Sequence, residues 1–585
     1  MRLIHLPCLL LACLMAACAS AAPLLQPVDG ELPGINGLDQ LRQPSIIESF
    51  RLSLVQPHSQ FNCEPLDEER RVLKPTQDEH AWCIFQVPAP EGPLDSLIAS
   101  GSGLFYIAAA DFQLGRWRFF SVLSEGEALI DLSDAQGLIS PGGFCYCVVL
   151  APALKSGGMQ SQLDSLALVY DEEHGGNTFY VAPVSSGGND NNPGSVTLPW
   201  GTLQKAADNV VAGDTVIVRP GNYEGFMLSR SGMPGSPITF SALDGAAVIF
   251  DNVETPDGIN IENFEAPDIH DIVVEGFTVR DCSRAGIRVV GSAATPAHDI
   301  ILRHNNCTGN ARWGIFSGFT DRLVVEYNTC SFSGDEHGIY LSNSGDENIA
   351  RGNVCFSNKR GGIQFNADAS QGGDGIMSGA LIERNVCFDN GSGGGAALNM
   401  DGLRDSVIRN NLLYGNHASG ITLFSQDGLT STGNLVVCNT IVQAADGRWC
   451  IRIANASTGN TLRNNILWNR HDFRGAISLD ADCLAGFSSD YNLAIGRFTP
   501  DDDANVYDLA DWKSNTGNDQ HSIEMTDEAV FLNSLIDDYH ILPGSLATEL
   551  GTDILGFPPL DFDGNMRPQP VFDGLLDAGC YEATE

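Results

Sequence analysis

The chain is poor in positive charge. Its 585 residues contain 32 Lys and Arg against 73 Asp and Glu, which gives a formal net charge of −41 at pH 7. Such an acidic surface repels a phosphate backbone, so nucleic-acid binding is excluded as a function class. A polyanionic substrate is disfavoured for the same reason, unless a cation or a locally basic groove offsets the charge.

Long apolar runs are also scarce. Residues 6–17 are apolar but too few to span a bilayer, and they lie in a typical targeting segment, residues 1–22. An A-x-A site at residues 19–21 fits a signal peptidase, whereas residues 15–18 resemble a bacterial lipobox and predict lipidation at Cys18. We therefore expect a protein that is periplasmic, extracellular or an outer-membrane lipoprotein, and that contacts a membrane only through this anchor.

Metal-binding spacing is missing among the cysteines. None of the 16 Cys forms a C-x-x-C pair, the spacing that usually brings thiolates together around a metal. Export permits disulfides, and Cys63 with Cys83 is a candidate pair. Three further cysteines recur with a regular period, and we expect them to form a stack of small buried thiols: Cys330, Cys355 and Cys387.

What the chain does contain is a repeat between about residues 300 and 469. A turn Asn recurs at intervals of 25 to 32 residues, as from Asn328 to Asn353 and from Asn353 to Asn385. Alternating short strands follow at the same period, and their inward positions are apolar: Ile315, Ile339, Ile363, Leu398, Ile421 and Ile451. A period of this length built from short strands predicts a parallel β-coil whose equivalent residues stack in columns.

Two columns outside the apolar core follow from this repeat. The turn asparagines tolerate left-handed backbone, and their amides can bond to the copies above and below. Two residues before each of them stands a charge of alternating sign: Arg303, Glu326, Arg351, Glu383 and Arg409. We interpret these charges as a solvated ion-pair ladder that fixes the register of the coil.

Other segments lack the repeat. Residues 23–44 are rich in Pro and Gly and are typical of a linker, and residues 45–172 contain short alternating strands that favour a β-sandwich. Residues 501–585 follow the decay of the repeat and are expected to cover the last turn, because an open strand edge invites association. We expect a monomer.

A family resemblance starts at residue 179. Its residues are the strand 180–183, the Gly/Asn/Asp-rich loop 187–194, the capped helix segment 199–207 and the strand entry 212–223. This opening resembles the right-handed parallel β-helix proteins related to pectate lyases, nearest to family nine polysaccharide lyases and uncharacterised exported β-helix repeat proteins. The resemblance implies an all-β fold with an N-terminal cap at residues 176–212 and a right-handed parallel β-helix at residues 213–500.

The family's chemistry transfers only in part. Family nine lyases use a Lys base and a calcium site of several Asp residues, and no repeat of this chain contains such an Asp cluster. A groove beside the variable loops instead predicts three sets of residues. They are the catalytic candidates His337, Tyr340 and Lys359, the substrate-binding candidates Arg312, Phe316, Arg360, Gln364 and Asn399, and the calcium candidates Asp368 and Asp374.

These residues suit elimination or epimerisation on a uronic acid in a polysaccharide. Removal of the proton beside the carboxylate needs a base and a cation that neutralises the carboxylate. His337, Tyr340 or Lys359 is the expected base. Arg360 or calcium at Asp368 and Asp374 is the expected counter-charge, and Tyr340 or His337 the expected proton donor.

Three other interpretations stay open. Arg312, Glu336 and Arg360 fall in one column of the coil, so they can form a second ion-pair ladder without any substrate. The protein can be a non-catalytic surface protein that binds glycan or a partner. It can also be a glycoside hydrolase that uses a carboxylate pair such as Asp368 and Asp401.

Overall fold

The computed structural model describes residues 176–583, apart from gaps at 244–245, 253, 264–267, 553–557, 559, 566 and 568–575. Before residue 176 it describes nine strands, together with Lys74 and Leu138. The targeting segment, the linker and Cys18 lie outside the described residues. Apart from short C-terminal pieces, the described chain forms two compact units that divide near residue 172.

The N-terminal unit is all-β. Its described strands pair in one antiparallel sheet: Ser49–Arg51, Ser59–Phe61, Cys63–Pro65, Arg71–Leu73, Ala81–Pro88, Leu94–Asp111, Arg116–Asp131, Phe144–Ala151 and Ser161–Tyr170. Alternate residues of these strands are apolar and pack in a buried cluster that includes Leu97, Ile107 and Val149. The Sγ atoms of Cys63 and Cys83 lie 2.7 Å apart, so these two cysteines do meet.

The larger unit is a parallel β-solenoid, in which each turn of the chain visits three sheets in succession. The first sheet contains Thr178–Val181, Thr215–Val218, Ile238–Ala242, His270–Glu275, Ala297–Arg303, Thr320–Asp321, Val324–Glu326, Ile349–Arg351, Leu381–Glu383, Val407–Arg409, Leu435–Val437, Thr461–Arg463 and Ser488–Asp490. The second contains Gly221–Glu224, Ala246–Phe250, Thr278–Arg280, Asn306–Thr308, Thr329–Ser331, Val354–Phe356, Val386–Phe388, Leu412–Tyr414, Thr440–Gln443, Ile466–Asn469, Leu493–Ile495 and Ile523–Met525. The third contains Phe226–Leu228, Ile259–Glu262, Ala285–Val290, Trp313–Gly318, Ile339–Ser342, Ile363–Asn366, Ala396–Asp401, Ser419–Phe424, Ile451–Ile453, Ile477–Leu479 and Phe498–Thr499.

The predicted inner column is confirmed. Ile315 pairs with Ile339, Ile339 with Ile363, and the register continues through Leu398, Ile421 and Ile451, all of them fully buried. The predicted thiol stack is present as well, and Cys307 extends it by one turn. Burial of these columns supplies the hydrophobic stabilisation of the coil, and the all-β parallel β-helix expected from the sequence is confirmed.

The predicted asparagine column is an uninterrupted hydrogen-bond ladder. Asn353 donates Nδ2–H to Asn385 Oδ1 at 3.0 Å and to the Val325 carbonyl at 2.8 Å. The same Asn385 Oδ1 accepts the backbone N–H of Asn353 at 3.0 Å. Each amide therefore satisfies buried donors and acceptors of the turn, and this pattern continues from Asn305 to Asn492.

The charge ladder differs from its prediction in one respect, because it is largely buried. Glu383 accepts from Arg351 Nε at 2.7 Å and from Arg409 Nε at 2.8 Å, and the Glu383 side chain is only 10 % exposed. Arg303 pairs with Glu275, which adds one more turn. A buried charge whose partner is removed is strongly destabilising, so this ladder constrains the register more than a solvated one would.

Short segments close both ends of the coil. The helix Leu203–Ala207 begins at Thr202, whose Oγ1 accepts from the Lys205 N–H at 3.1 Å, and it buries Leu203 and Ala206 against the first turns. Near the other end the helix Leu509–Thr516 buries Trp512. The remaining elements are the strand pairs Met377–Ser378 with Leu403–Arg404 and Phe531–Asn533 with Asp538–Ile541, and the 3₁₀ turns Val184–Ser186, Ala369–Gln371, Ala481–Leu484 and Ser534–Ile536. In the described part of the chain, no helix has the length and apolar character needed to cross a membrane.

Candidate functional site

A cleft of about 720 Å³ lies on the outer face of the third sheet. Its floor is one outward column, which contributes one residue from each of six consecutive turns: Tyr340, Gln364, Asn399, Thr422, Arg452 and Ser478. Neighbouring turns are roughly 4.8 Å apart, so the floor extends over about 24 Å. A cleft of this shape suits an extended polymer chain.

The two walls of the cleft carry opposite charge. Because the strands are parallel, residues that precede them line one side and residues that follow them line the other. The preceding side contains three arginines, Arg360, Arg448 and Arg474, and at the end near Tyr340 the carboxylate of Glu336, which is paired with Arg312. The following side contains four carboxylates: Asp401, Asp427, Asp502 and Asp503. The acidic protein thus has the locally basic strip that a polyanionic substrate requires.

The arginines of the basic wall occupy one column. Each lies three residues before the first inward residue of its strand, as Arg448 does before Ile451 and Arg474 before Ile477. Arg360 and Arg448 are exposed, and their side chains have no ion-pair partner among the described residues. Arg448 and Arg474 were missed by the sequence reasoning, although their shared offset from the repeat was a signal that could have found them.

Tyr340 lies half-buried at one end of the floor. Its Oη accepts the Nδ2–H of Asn366 at 2.7 Å, and its ring contacts those of Trp313, Phe316 and His337. Burial raises the pKa of Tyr340 to about 12. The phenol is therefore protonated at neutral pH and can act as a proton donor.

His337 lies beneath Tyr340 and is almost fully buried. Its Nδ1 accepts the backbone N–H of Gly361 at 3.0 Å, and its Nε2 lies 3.6 Å from Glu336 Oε2. Burial, assisted by the nearby Arg360 charge, lowers the pKa of His337 to about 3. The ring is consequently neutral with its proton on Nε2, an arrangement that positions neighbouring groups rather than accepting a substrate proton.

Three of the predicted catalytic and substrate-binding residues, and both calcium candidates, lie outside the lining of the cleft. Arg312 donates to Glu336 Oε1 at 3.0 Å and lies over the Trp313 ring, as expected for the second ion-pair ladder. Phe316 packs on Trp313 with ring centroids 4.4 Å apart. Lys359 accepts the Gly393 N–H at its carbonyl, and its side chain packs against Gly393. The cleft brings together His337, Tyr340, Arg360, Gln364 and Asn399.

Asp368 and Asp374 have local roles in their loop. Asp368 Oδ1 accepts from Ser370 N at 2.9 Å, which caps a 3₁₀ turn, and Asp374 Oδ1 accepts from Ile376 N at 2.9 Å. Within the described residues, the set of three acidic or thiol groups that converges enough to hold a metal lies elsewhere, at Asp480, Asp482 and Cys483. Asp368 and Asp374 do not belong to that set.

Asp401 anchors a loop of the acidic wall. Its carboxylate accepts the backbone N–H groups of Gln426, Asp427 and Gly428, and it is only 1 % exposed. This arrangement does not suit a hydrolase carboxylate paired with Asp368. Asp427, on the anchored loop, is exposed, and its own carboxylate oxygens have no hydrogen-bond partner among the described residues. The Asp427 charge contributes to the raised pKa of Tyr340, so the two groups are neighbours.

Comparisons with known proteins agree with this fold. A family model described as periplasmic copper-binding protein (NosD) matches residues 207–387. The chain is 26% identical over 398 residues to the uncharacterized protein YwoF of Bacillus subtilis (strain 168), covering 60% of this chain and 82% of that protein. It is 33% identical over 76 residues to pectate lyase PEL9 of Emericella nidulans, covering 12% of this chain and 18% of the lyase.

Two solved structures of lyases are similar to this chain. Pectate lyase Pel9A has a TM-score of 0.46 and 15% identity, covering 70% of this chain and 96% of that one. An alginate lyase from Paenibacillus sp. str. FPU-7 has a TM-score of 0.39 and 16% identity, covering 52% and 97%. The resemblance to pectate-lyase-like parallel β-helix proteins, expected from the sequence, is confirmed by the match to pectate lyase PEL9 and by the parallel β-solenoid of this chain itself.

Among the described residues of the region that matches the NosD model, no three His, Cys, Asp or Glu side chains converge as a metal site requires. The cysteines of residues 207–387 are all fully buried inside the coil: Cys282, Cys307, Cys330, Cys355 and Cys387. Burial raises the pKa of Cys282 to about 12, and burial likewise raises the pKa values of Cys330, Cys355 and Cys387. A thiolate is the metal-binding form of cysteine, so no step of the proposed chemistry involves copper.

Proposed function

We propose that the protein is an exported carbohydrate-active enzyme, a polysaccharide lyase or epimerase that acts on a uronate-containing polysaccharide. The observation that carries this proposal is the basic wall of Arg360, Arg448 and Arg474 in a cleft of a protein with a net charge of −41. A neutral polymer gains nothing from this wall, whereas the carboxylates of a uronate chain pair with guanidinium groups in bidentate geometry.

The cleft orients the sugar through its floor. Arg360 pairs with the carboxylate of the reacting uronate, and this pairing stabilises the negative charge that develops there when the adjacent proton leaves. The side-chain amides of Gln364 and Asn399 bond to each other and can bond to sugar hydroxyls. The reacting ring thus lies between the basic wall and the loop that carries Asp427.

Two groups then move the protons. The carboxylate of Asp427 takes the proton from the carbon next to the sugar carboxylate, and the electron pair of that C–H bond becomes the new C=C bond. The C–O bond to the next sugar breaks, and Tyr340 gives its phenolic proton to the leaving oxygen. The Asp427 proton returns to Tyr340 through water, which restores both groups. In an epimerase, Tyr340 instead returns a proton to the opposite face of the same carbon.

The expected partners follow from this proposal. The polysaccharide is the partner, the chain acts as a monomer, and residues 1–22 direct its export, with a lipid at Cys18 as the expected anchor. Arginine provides the counter-charge, so the reaction requires no calcium at Asp368 and Asp374. A non-catalytic glycan-binding protein would use the same cleft, and only turnover distinguishes it.

A substrate panel tests the proposal. The full chain is incubated with pectate, alginate and glycosaminoglycans, each with and without calcium, and product is followed by the ultraviolet absorbance of unsaturated uronates. Proton exchange into deuterated water detects an epimerase. We expect turnover on at least one acidic polymer and none on neutral xylan. Binding without absorbance or exchange on every polymer would instead establish the non-catalytic role.

A further inference from the structure

A second basic group lies in the cleft, far from the reacting position. Arg448 and Arg474 stand on adjacent turns at the end of the cleft opposite Tyr340. Between them and Arg360, the two intervening turns place Gly395 and Ala418 in the same column, so the basic wall has a gap there. Three turn spacings separate Arg360 from Arg448, which is about 14 Å.

The charges around this second group favour an external anion. Arg452 on the floor is already paired, with Asp502 at 2.7 Å and with Asp480. Arg474 donates one Nη1–H to the Gly447 carbonyl at 3.3 Å and keeps its other donors. Arg448 is exposed, and within the described chain its guanidinium has no bonded partner. The Asp503 carboxylate lies close enough to Arg474 for their charges to interact. Arg448, whose five guanidinium donors have no acceptor among the described residues, is therefore the member of the pair that is more open to an external anion.

We propose that Arg448 and Arg474 form a distal carboxylate subsite, which binds a second uronate of the same polymer chain about 14 Å from the one held by Arg360. The inference rests on the proposed function for the class of ligand. It adds a requirement: the ligand must carry at least two carboxylates at this separation, and it must be long enough to reach both. The enzyme is accordingly selective for chains over disaccharides.

The gap in the wall has a role in this scheme. Gly395 lines the cleft between the two carboxylate contacts and leaves room there for the bound sugar rings, and Ala418 on the next turn is fully buried and adds no charged side chain to the wall. Asn399 and Thr422, on the floor of the same turns, present amide and hydroxyl groups to that space. The sugars between the two contacts are therefore held by hydrogen bonds to neutral groups. Carboxylates are recognised only at Arg360 and at the Arg448 and Arg474 pair.

Calorimetric binding of chains of two lengths tests the subsite. The probes are an oligouronate dimer and octamer, from both galacturonate and mannuronate, measured on the full chain carrying Tyr340→Phe so that turnover does not interfere. The octamer is expected to bind about 10- to 100-fold more tightly than the dimer, because it gains the distal charge-assisted contacts. The double change Arg448→Ala/Arg474→Ala should remove this length advantage, and Arg448→Lys/Arg474→Lys should restore part of it.

Arg280→Ala is the matched control. Arg280 is an exposed arginine paired with Asp281 and lies outside the lining of the cleft, so the length advantage should persist in it. An octamer advantage that survives the double alanine change overturns the subsite. The subsite is also overturned if dextran sulfate binds and its affinity depends on Arg448 and Arg474 to the same extent, because the proposed ligand is a planar carboxylate and not a sulfate. If the wild type turns over a uronate polymer but the double alanine change leaves the length advantage unaffected, the subsite alone is refuted. If no uronate binds at all, the proposed function is refuted as well.

Discussion

Burial decides which titratable groups of the cleft can carry a proton to or from a substrate. His337 and Tyr340 are adjacent in space, yet burial lowers the pKa of the histidine and raises that of the tyrosine. Both are consequently neutral at pH 7, and both present an N–H or O–H donor. Asp427 is the neighbouring exposed group, and its carboxylate has no hydrogen-bond partner within the described residues, which is why it receives the role of base.

The buried histidine predicts a pH dependence of stability. Its pKa is about 3 in the folded protein and about 6.5 in an unfolded chain, so between these values the unfolded state binds the extra proton. Stability from this group is complete above pH 6.5 and is lost towards pH 3, at most about 1.4 kcal/mol per pH unit. Urea unfolding of wild type and His337→Gln at pH 7, 5 and 4 should show a steeper loss in the wild type. Equal slopes would mean that the histidine is accessible to protons in the folded state.

If Asp427 is the base, its substitution should lower turnover without lowering the stability of the fold. Asp427→Asn removes the carboxylate but keeps its size, so turnover should fall by about 10²- to 10⁴-fold. The free energy of unfolding should change by less than about 0.5 kcal/mol, since the side chain is exposed. Lys359→Ala is the control, because Lys359 lies outside the lining of the cleft. Full activity in Asp427→Asn would assign the base elsewhere.

At the scale of the structural elements, two columns of stacked asparagine amides stabilise the turns between strands, and only one of them was predicted from the sequence. The column through Asn328 and Asn353 could be predicted because its period is regular. A second column, Asn358, Asn390 and Asn416, lies five residues further on in each repeat and bonds in the same way. It has the same period, so the sequence contained that signal too. The burial of the charge ladder was not predictable, because a repeat shows which residues stack and not what covers them.

Removal of one amide should destabilise the coil locally. Asn385→Ala deprives the backbone N–H and the Nδ2–H of Asn353 of their acceptor, and both groups are fully buried. We expect a loss of roughly 2–3 kcal/mol in the free energy of unfolding measured by urea denaturation. Asn191→Ala, an exposed asparagine outside the ladders, should change it by less than about 0.5 kcal/mol. Similar small effects for both would show that water replaces the amide.

The buried charge ladder predicts a larger effect. Glu383→Gln leaves Arg351 and Arg409 without their shared carboxylate in a site that excludes most water. The expected cost is about 3–5 kcal/mol, measured by the same denaturation. Asp281→Asn breaks the exposed pair with Arg280 and should cost about 1 kcal/mol or less. A Glu383→Gln variant no less stable than Asp281→Asn would contradict the buried character of the ladder.

At the scale of the whole molecule, the coil brings residues that are distant in the sequence together along one groove. The part of the site that could be predicted is the part that follows from the repeat. Tyr340, Gln364 and Asn399 were predicted because they share one outward column of the coil. His337 and Arg360 were predicted because they come just before that column in their repeats. Lys359 was also a candidate, but its side chain packs against Gly393 instead. The arginines at the far end and Asp427 were missed, because the extent of a cleft depends on which loops leave the coil.

Calcium dependence is a property of the whole cleft. With guanidinium groups as the proposed counter-charge, turnover should be unchanged by a chelator such as EGTA. High salt should instead weaken binding of the polymer, because it screens the exposed arginines. The measurement is the initial rate with excess chelator and over a salt series. A rate that collapses with chelator and recovers with added calcium would show that a metal, not arginine, neutralises the carboxylate.

The most direct test of the proposed chemistry is the turnover of Tyr340→Phe on the polymer that the wild type uses. The change removes one hydroxyl, which accepts a hydrogen bond from Asn366 and supplies the proton for the leaving oxygen. The account predicts a fall in turnover of about 10²- to 10⁴-fold, with polymer affinity retained and a cost of about 0.5–1.5 kcal/mol in stability. Wild-type turnover in Tyr340→Phe would contradict the assignment of this cleft as the place where the uronate reacts.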